Sequence, residues 1–296
     1  MPQPKRFDAP LIGNVVHPTD FSPDGEAAFL HALKTALIAN AKLTILHVAP
    51  NKEEMDWANF PGVRATLERW GMLPRNSSRA DVSKLGIDVQ KVIMVDKEPV
   101  RAVTAYLEGH PADIIVLATN SVDGRVQWLR KNVAQPLSRK SHLMTLFVPK
   151  DTNGFVSGQD ASVALESILI PVASTPDAQP AIQAAARLAY RLNCPKGVFT
   201  ALHVGQSEGM PALHYPDVPG WRWTTTTKSG SVIEVILEEA RNVEADLIVM
   251  STDGRHGFLD VLRGSHSERV LHGSPCPLLA IPVGGFLAKV LQGEAT

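Results

Sequence analysis

The stretch Ala245-Asp-Leu-Ile-Val-Met-Ser251 decides the fold, because Ala112-Asp-Ile-Ile-Val-Leu-Ala118 is its near copy. Each is a short continuous apolar run entered through an aspartate, the length of a strand rather than of a buried helix. Toward the C-terminus the copies stay in register. Leu143-Met-Thr-Leu-Phe-Val-Pro149 aligns with Pro277-Leu-Leu-Ala-Ile-Pro282; Asp113 and Asp246 are 133 positions apart, as are Pro149 and Pro282. An internal repeat of this length makes each half a unit of its own.

Toward the N-terminus the correspondence continues. Asn14-Val-Val-His-Pro-Thr-Asp20 leads into Phe21-Ser-Pro-Asp, and Ile168-Leu-Ile-Pro-Val-Ala173 leads into Ser174-Thr-Pro-Asp. Pro23 and Pro176 suit the first helical position, where a missing N–H costs nothing, with Ser22 and Thr175 as the N-caps. Leu30, Leu33 and Leu37 then recur at helical spacing, as do Ile182, Ala185, Leu188, Ala189 and Leu192. Second strands follow in Leu43-Thr-Ile-Leu-His47-Val48 and Phe199-Thr-Ala-Leu-His203-Val204, which end on the same dipeptide. That repetition gives His47 and His203 a structural or crevice-lining role.

Each half thus reads β–α–β–(variable)–α–β–α–β. Continuous Val/Ile/Leu runs alternating with helices imply parallel sheets covered on both faces. The expected class is α/β, with two doubly wound parallel-sheet domains in tandem. One spans residues 1–150 and the other 163–296, joined through a Gly/Asn/Asp/Ser-rich linker at 151–162. The variable segments differ: Asn51–Gly86 is long and polar, and Gln206–Gly230 carries Trp221, Trp223 and the run Thr224–Thr227. The latter reads as a surface loop or flap over the second crevice.

The totals exclude several function classes. A formal net charge of −1 leaves no basic field for nucleic acid or for a membrane surface. Two cysteines, Cys194 and Cys276, form no disulfide framework and fit a reducing cytosol. The opening MPQPKRFDAPLIG has no apolar run of a secretory signal, and no stretch reaches the length of a membrane span. A cytoplasmic location is therefore expected. No nucleophile elbow, P-loop or zincin motif is present, so nothing requires an efficient enzyme. His256, His266, His272 and Cys276 lie near one another in sequence, but their spacing matches no familiar metal-ligand pattern.

Chemistry concentrates after the strand Asp246–Met250, in Ser251-Thr-Asp-Gly254-Arg-His-Gly-Phe-Leu-Asp-Val-Leu-Arg-Gly264-Ser265-His-Ser-Glu268. A loop at the C-terminal end of a parallel strand lies at the usual ligand crevice of an open α/β sheet. Gly254 permits a turn or a close backbone approach to a ligand. Ser265-x-x-Glu268 is a capping-box pattern; Ser265 either caps the helix or bonds a phosphate oxygen at its N–H groups. Arg255, His256 and Arg263 place positive charge nearby. Asp253 either bonds its own turn or contacts Mg²⁺ held by a polyphosphate.

The stretch resembles the G-x2-G-x9-G-[S/T] nucleotide motif of the universal stress protein family, with Ser251 in place of the first glycine. The resemblance covers both halves apart from the variable segments. It implies an adenine-nucleotide alpha-hydrolase-like fold in each half and a cytoplasmic stress-response protein binding ATP or a related adenine nucleotide, with Mg²⁺ through Asp253. The implied binding residues are Pro171, Val172, Ala173, Val204, Met250, Ser251, Gly254, Arg255, Gly264, Ser265, His266 and Ser267. A regulatory interaction module with slow or no hydrolysis is the leading expectation; a scaffold without nucleotide and a slow metal-dependent phosphohydrolase stay open. In the first half Ala118, Ser121, Lys131 and Asn132 occupy the motif positions, so that site is expected to be silent. The acid that family members carry at the base end is Asp20 in the first half and Ala173 in the second. The resemblance also implies that the halves pack as a pseudo-dimer, with Met144–Val148 pairing against Pro277–Ile281. No residue indicates a further homodimer.

Overall fold

The computed structural model describes residues 11–119, 143–150, 152, 154–252 and 266–283. Among them, ten strands form one sheet in the order β3-β2-β1-β4-β5-β10-β9-β6-β7-β8. The first half supplies β1 (Asn14–Thr19), β2 (Lys42–Ala49), β3 (Asp88–Val95), β4 (Ile114–Thr119) and β5 (Met144–Pro149). The second supplies β6 (Ser167–Val172), β7 (Gly197–Val204), β8 (Trp221–Lys228), β9 (Leu247–Thr252) and β10 (Leu278–Pro282). All pairings within a half are parallel. The halves meet where β5 and β10 run antiparallel, with Leu278 opposite Phe147, Leu279 opposite Leu146 and Ala280 opposite Thr145. The two strands that the repeat placed last in each half therefore close one another's edges.

Helices cover both faces, as the buried strands require. On one face lie α1 (Glu26–Ala39), the short α2 (Val63–Arg69) and α3 (Arg79–Ser83), and later α5 (Gln179–Arg191). On the other lie α4 (Pro99–Gly109), α6 (Val232–Asn242) and α7 (His266–Gly273). Side chains alternate between the faces along each strand: Leu247 and Val249 join the first core, Ile248 and Met250 the second.

The repeated aspartates have one job. Asp113 Oδ2 accepts from the N–H groups of Gly13 and Asn14 at 2.7 and 2.9 Å. Asp246 Oδ2 accepts from Glu166 and Ser167 at 2.8 and 2.9 Å. Each carboxylate thus fixes the start of the first strand in its own half.

The structure corrects three expectations. Trp221–Lys228 is a strand, not a surface loop or flap. It pairs with β7 along its whole length, from Gly197↔Trp221 to Val204↔Lys228. Alternation decides this: Trp221 and Trp223 stack on Phe199 at 4.4 and 4.2 Å, while the β-branched threonines suit a pleated surface. Second, neither predicted N-cap makes a side-chain cap. Pro23–Gly25 is a single 3-10 turn, and Ser22 spends its hydroxyl on Asp20 Oδ1 at 2.6 Å. In the second half the helix opens later, at Gln179, whose N–H bonds Asp177 Oδ1 at 2.9 Å, and Pro180 rather than Pro176 takes the first turn. Third, each half holds one more strand than the repeat showed, β3 and β8 at the outer edges.

The described part of the linker stretch is docked rather than loose. The Phe155 N–H donates to His31 Nε2 at 3.1 Å, Trp70 Nε1 donates to Gly158 O at 3.2 Å, and Lys34 Nζ donates to Ala161 O at 3.0 Å. Gly154 has φ +61°, and a Cβ there would lie 2.2 Å from the His31 ring, so only glycine fits.

Candidate functional site

In each half the strand order reverses beside the first strand, between β1 and β4 and between β6 and β9. Ligand crevices of open α/β sheets lie outside the carboxyl ends of the strands at such switch points. Proline opens them here. The β1–β4 ladder stops at Val16↔Ile115 and the β6–β9 ladder at Leu169↔Ile248. The next N–H in line would belong to Pro18 or Pro171, and neither has one. In the first half the orphaned Val116 carbonyl takes a proton from His17 Nδ1 at 3.0 Å. Ile170 occupies the corresponding place in the second half and has no donor to offer.

The second-half crevice gathers most of the residues expected there. Val172 ends β6 and is buried, Ala173 follows it exposed, and Met250, Ser251 and Thr252 end β9, all buried. Continuing the β6–β9 register sets Ser251 level with Val172. Ser251 is 8% exposed, and its Oγ has no hydrogen-bond partner. Val204 ends β7, half-buried, next to His203. His203 Nδ1 lies 3.2 Å from Val172 O, so that carbonyl is already engaged from within the protein. Sequence reasoning missed this bond, although the repeated His-Val dipeptide marked its position. The turn after β7 presses on the same ring: a Cβ at either Gly205 or Gly209 would approach His203 Nε2 to 3.0 Å.

Asp253, Gly254, Arg255, Gly264 and Ser265 lie outside the described residues, as do Lys131 and Asn132 of the first half. Their segment runs from the end of β9 to the start of α7, where His266 and Ser267 are the first helical residues. Cys276 is buried beside α7, and burial pushes its thiol up to about 12, which leaves it inert as a nucleophile.

The first-half crevice is built differently. Asp20, the acid expected at the base end, accepts from the N–H of Ser22 at 3.0 Å and from its hydroxyl. Phe21 has φ +63° and lays its ring on His47 at 3.8 Å. Phe60 meets that ring edge-on at 5.0 Å, and Trp57 stacks on Phe60 at 5.7 Å. His47 Nδ1 reaches Thr19 O at 2.8 Å, the counterpart of the His203–Val172 bond. The place that stays open at the end of β7 is here occupied by the protein's own aromatics.

The architecture defines a class: two doubly wound α/β units with a switch-point crevice apiece, fused through an antiparallel strand pair. The universal stress protein family profile matches residues 12–149 and 219–282. The chain belongs to the universal stress protein family. It is 45% identical over 58 residues to universal stress protein A homolog 2 of Coxiella burnetii, covering 20% of this chain and 39% of that protein. To homolog 1 of the same organism it is 40% identical over 80 residues, 26% of this chain and 54% of that protein. The chain therefore spans about two fifths to just over half the length of these curated relatives. Among solved structures, a universal stress protein from Archaeoglobus fulgidus shares the fold, with a TM-score of 0.55 at 16% identity over 91% of this chain and 96% of that one. No described helix is long and apolar enough to cross a membrane.

Proposed function

We propose that the protein binds ATP or a related adenine nucleotide in its second half, as a ligand-gated interaction module of the stress response with slow or no hydrolysis. The observation that carries this is Ser251. A hydroxyl buried without a partner costs about 1–3 kcal/mol, yet one is kept at the mouth of the crevice. A polar ligand at the ends of β6 and β9 would relieve that cost. The sequence that follows, with Gly254 and Gly264-Ser265 ahead of α7, supplies what a phosphate chain needs: backbone approach and helix N–H groups. Asp253 is the residue to share a Mg²⁺ with such phosphates. Ala173 offers no acid to a ribose, and the Val172 carbonyl is engaged by His203, so the base would rest on the apolar walls of Val172 and Val204. Phosphate contacts, not base contacts, would then dominate affinity.

Isothermal titration of ATP into the wild type and Gly264→Trp tests the reading. Saturable binding is expected in the wild type alone, and equal heats from both would exclude the second-half site. Mass spectrometry of whatever copurifies with the native protein would identify the nucleotide.

A further inference from the structure

The halves share more than the β5–β10 seam. Over that seam α1 and α5 converge, and between them lies a cavity of about 90 Å³. Its floor and walls are apolar: Ile38 from α1, Leu188 and Leu192 from α5 and its end, and Met144, Leu146 and Leu279 from the paired strands. Three cations line it as well, Lys34 on α1 and Arg187 and Arg191 on α5. None of its described lining residues is Asp or Glu. His31 also lines it, and burial holds that imidazole neutral with a pKa lowered to about 4. Lys34 and Arg191 satisfy themselves on backbone carbonyls, Ala161 O at 3.0 Å and Ile38 O respectively, so neither neutralises its charge there. Lys34 is half-buried, and desolvation pulls its pKa down. The acid nearest to it in effect, Asp160, is committed to the N–H and hydroxyl of Ser162 at 3.0 and 2.7 Å.

An apolar pocket ringed by cations complements an anion with a hydrocarbon tail. Water is a poor occupant, since it needs two to four polar partners and this lining offers few. Neutral apolar molecules would leave the cations half-desolvated, and a compact anion would leave the apolar walls wet. The volume is below the ~150 Å³ of a cavity that admits benzene, so it takes the end of a chain rather than a whole lipid. We propose that this junction cavity binds a medium-chain carboxylate, with the tail between α1 and α5 and the head at Lys34, Arg187 and Arg191. Because it draws its walls from both halves, such a ligand would clamp them together. The site is separate from the nucleotide crevice and stands whether or not that crevice binds.

Titration of the full chain with octanoate, and with octan-1-ol as the uncharged control, tests this. Octanoate is expected to bind at one equivalent and at least tenfold more tightly than octanol. Lys34→Gln should lower octanoate affinity severalfold and leave octanol unchanged. Ala184→Phe, which fills the cavity from α5, should abolish both. If that variant does not fold, a photoreactive diazirine analogue of octanoate on the wild type replaces it, with labels expected on α1 and α5. The proposal is overturned if octanol matches octanoate, or if folded Ala184→Phe binds normally. Labels falling elsewhere, or no binding at millimolar octanoate, overturn it too. Binding that appears only after removal of residues 2–10 would make the chain's own N-terminus the occupant, and would also overturn it.

Discussion

His203 holds Val172 across the β6–β7 step, its Nδ1 3.2 Å from the Val172 carbonyl, and His47 holds Thr19 in the same way at 2.8 Å. The bond ties the last residue of each first strand to its neighbour at the point where proline has released it on the other side. His203 is the more buried of the two. His203→Ala should therefore destabilise the protein by roughly 2–4 kcal/mol through a cavity and a lost bond. His47→Ala should cost less, because that ring is half-exposed. Urea denaturation of the two variants measures the difference, and an equal loss would contradict the assignment.

Ser251 gives a prediction of opposite sign. Removing an unsatisfied buried hydroxyl takes away a desolvation penalty. Ser251→Ala should leave stability unchanged or raise it by up to about 1 kcal/mol, while weakening nucleotide binding severalfold. Thermal melting and titration on the same preparation check both. A variant that loses stability and keeps its affinity would assign Ser251 to packing alone.

Acid should weaken the fold through two buried imidazoles. His17 and His31 both have pKa values lowered from 6.5 to about 4, chiefly by burial. Their geometry agrees. His31 Nδ1 faces Ala27 O, so Nε2 must stay unprotonated to accept the Phe155 N–H; His17 Nδ1 faces Val116 O, and its Nε2 is buried without a partner. The folded state favours the neutral rings, so their contribution is complete above pH 6.5 and is lost as pH falls from 6.5 toward 4. Each accounts for roughly 3 kcal/mol at most. Urea midpoints at pH 7 and pH 4.5 should show the drop. His17→Ile, which copies Ile170 of the second half, should fold and shed about half of the pH dependence.

Particular residues show what the sequence reveals. The paired runs at Asp113 and Asp246 disclosed the halves, their parallel cores and the strands that join them, because fully buried strands must be apolar throughout. Edge strands carry no such mark. Trp221-Arg-Trp-Thr-Thr-Thr-Thr-Lys228 is half exposed, and its threonines read as loop until Phe199 is seen beneath the tryptophans. Docking of the linker stretch was equally hidden, since Gly154 and Phe155 acquire meaning only against His31, more than a hundred residues earlier. In the site, the glycine motif was legible as spacing. The Val172–His203 bond and the unpartnered Ser251 hydroxyl were not, because both depend on register between strands.

The asymmetry of the halves leaves one further prediction, at Phe21. Its backbone sits at φ +63°, a costly place for an aromatic residue, and the stack on His47 holds it there. Phe21→Gly would relax the backbone while vacating the space over His47, so the strain relief offsets part of the lost packing. Two causes compete for the silence of the first half: the aromatic plug, and the loss of glycines at Ser121 and Lys131. If phosphate contacts dominate affinity, opening the base end gains nothing, and Phe21→Gly should still bind one nucleotide per chain. Equilibrium dialysis with radiolabelled ATP gives the stoichiometry directly. A value of two would show that Phe21, rather than the missing glycines, closes the first crevice, and would shift the weight of recognition from the phosphates to the base.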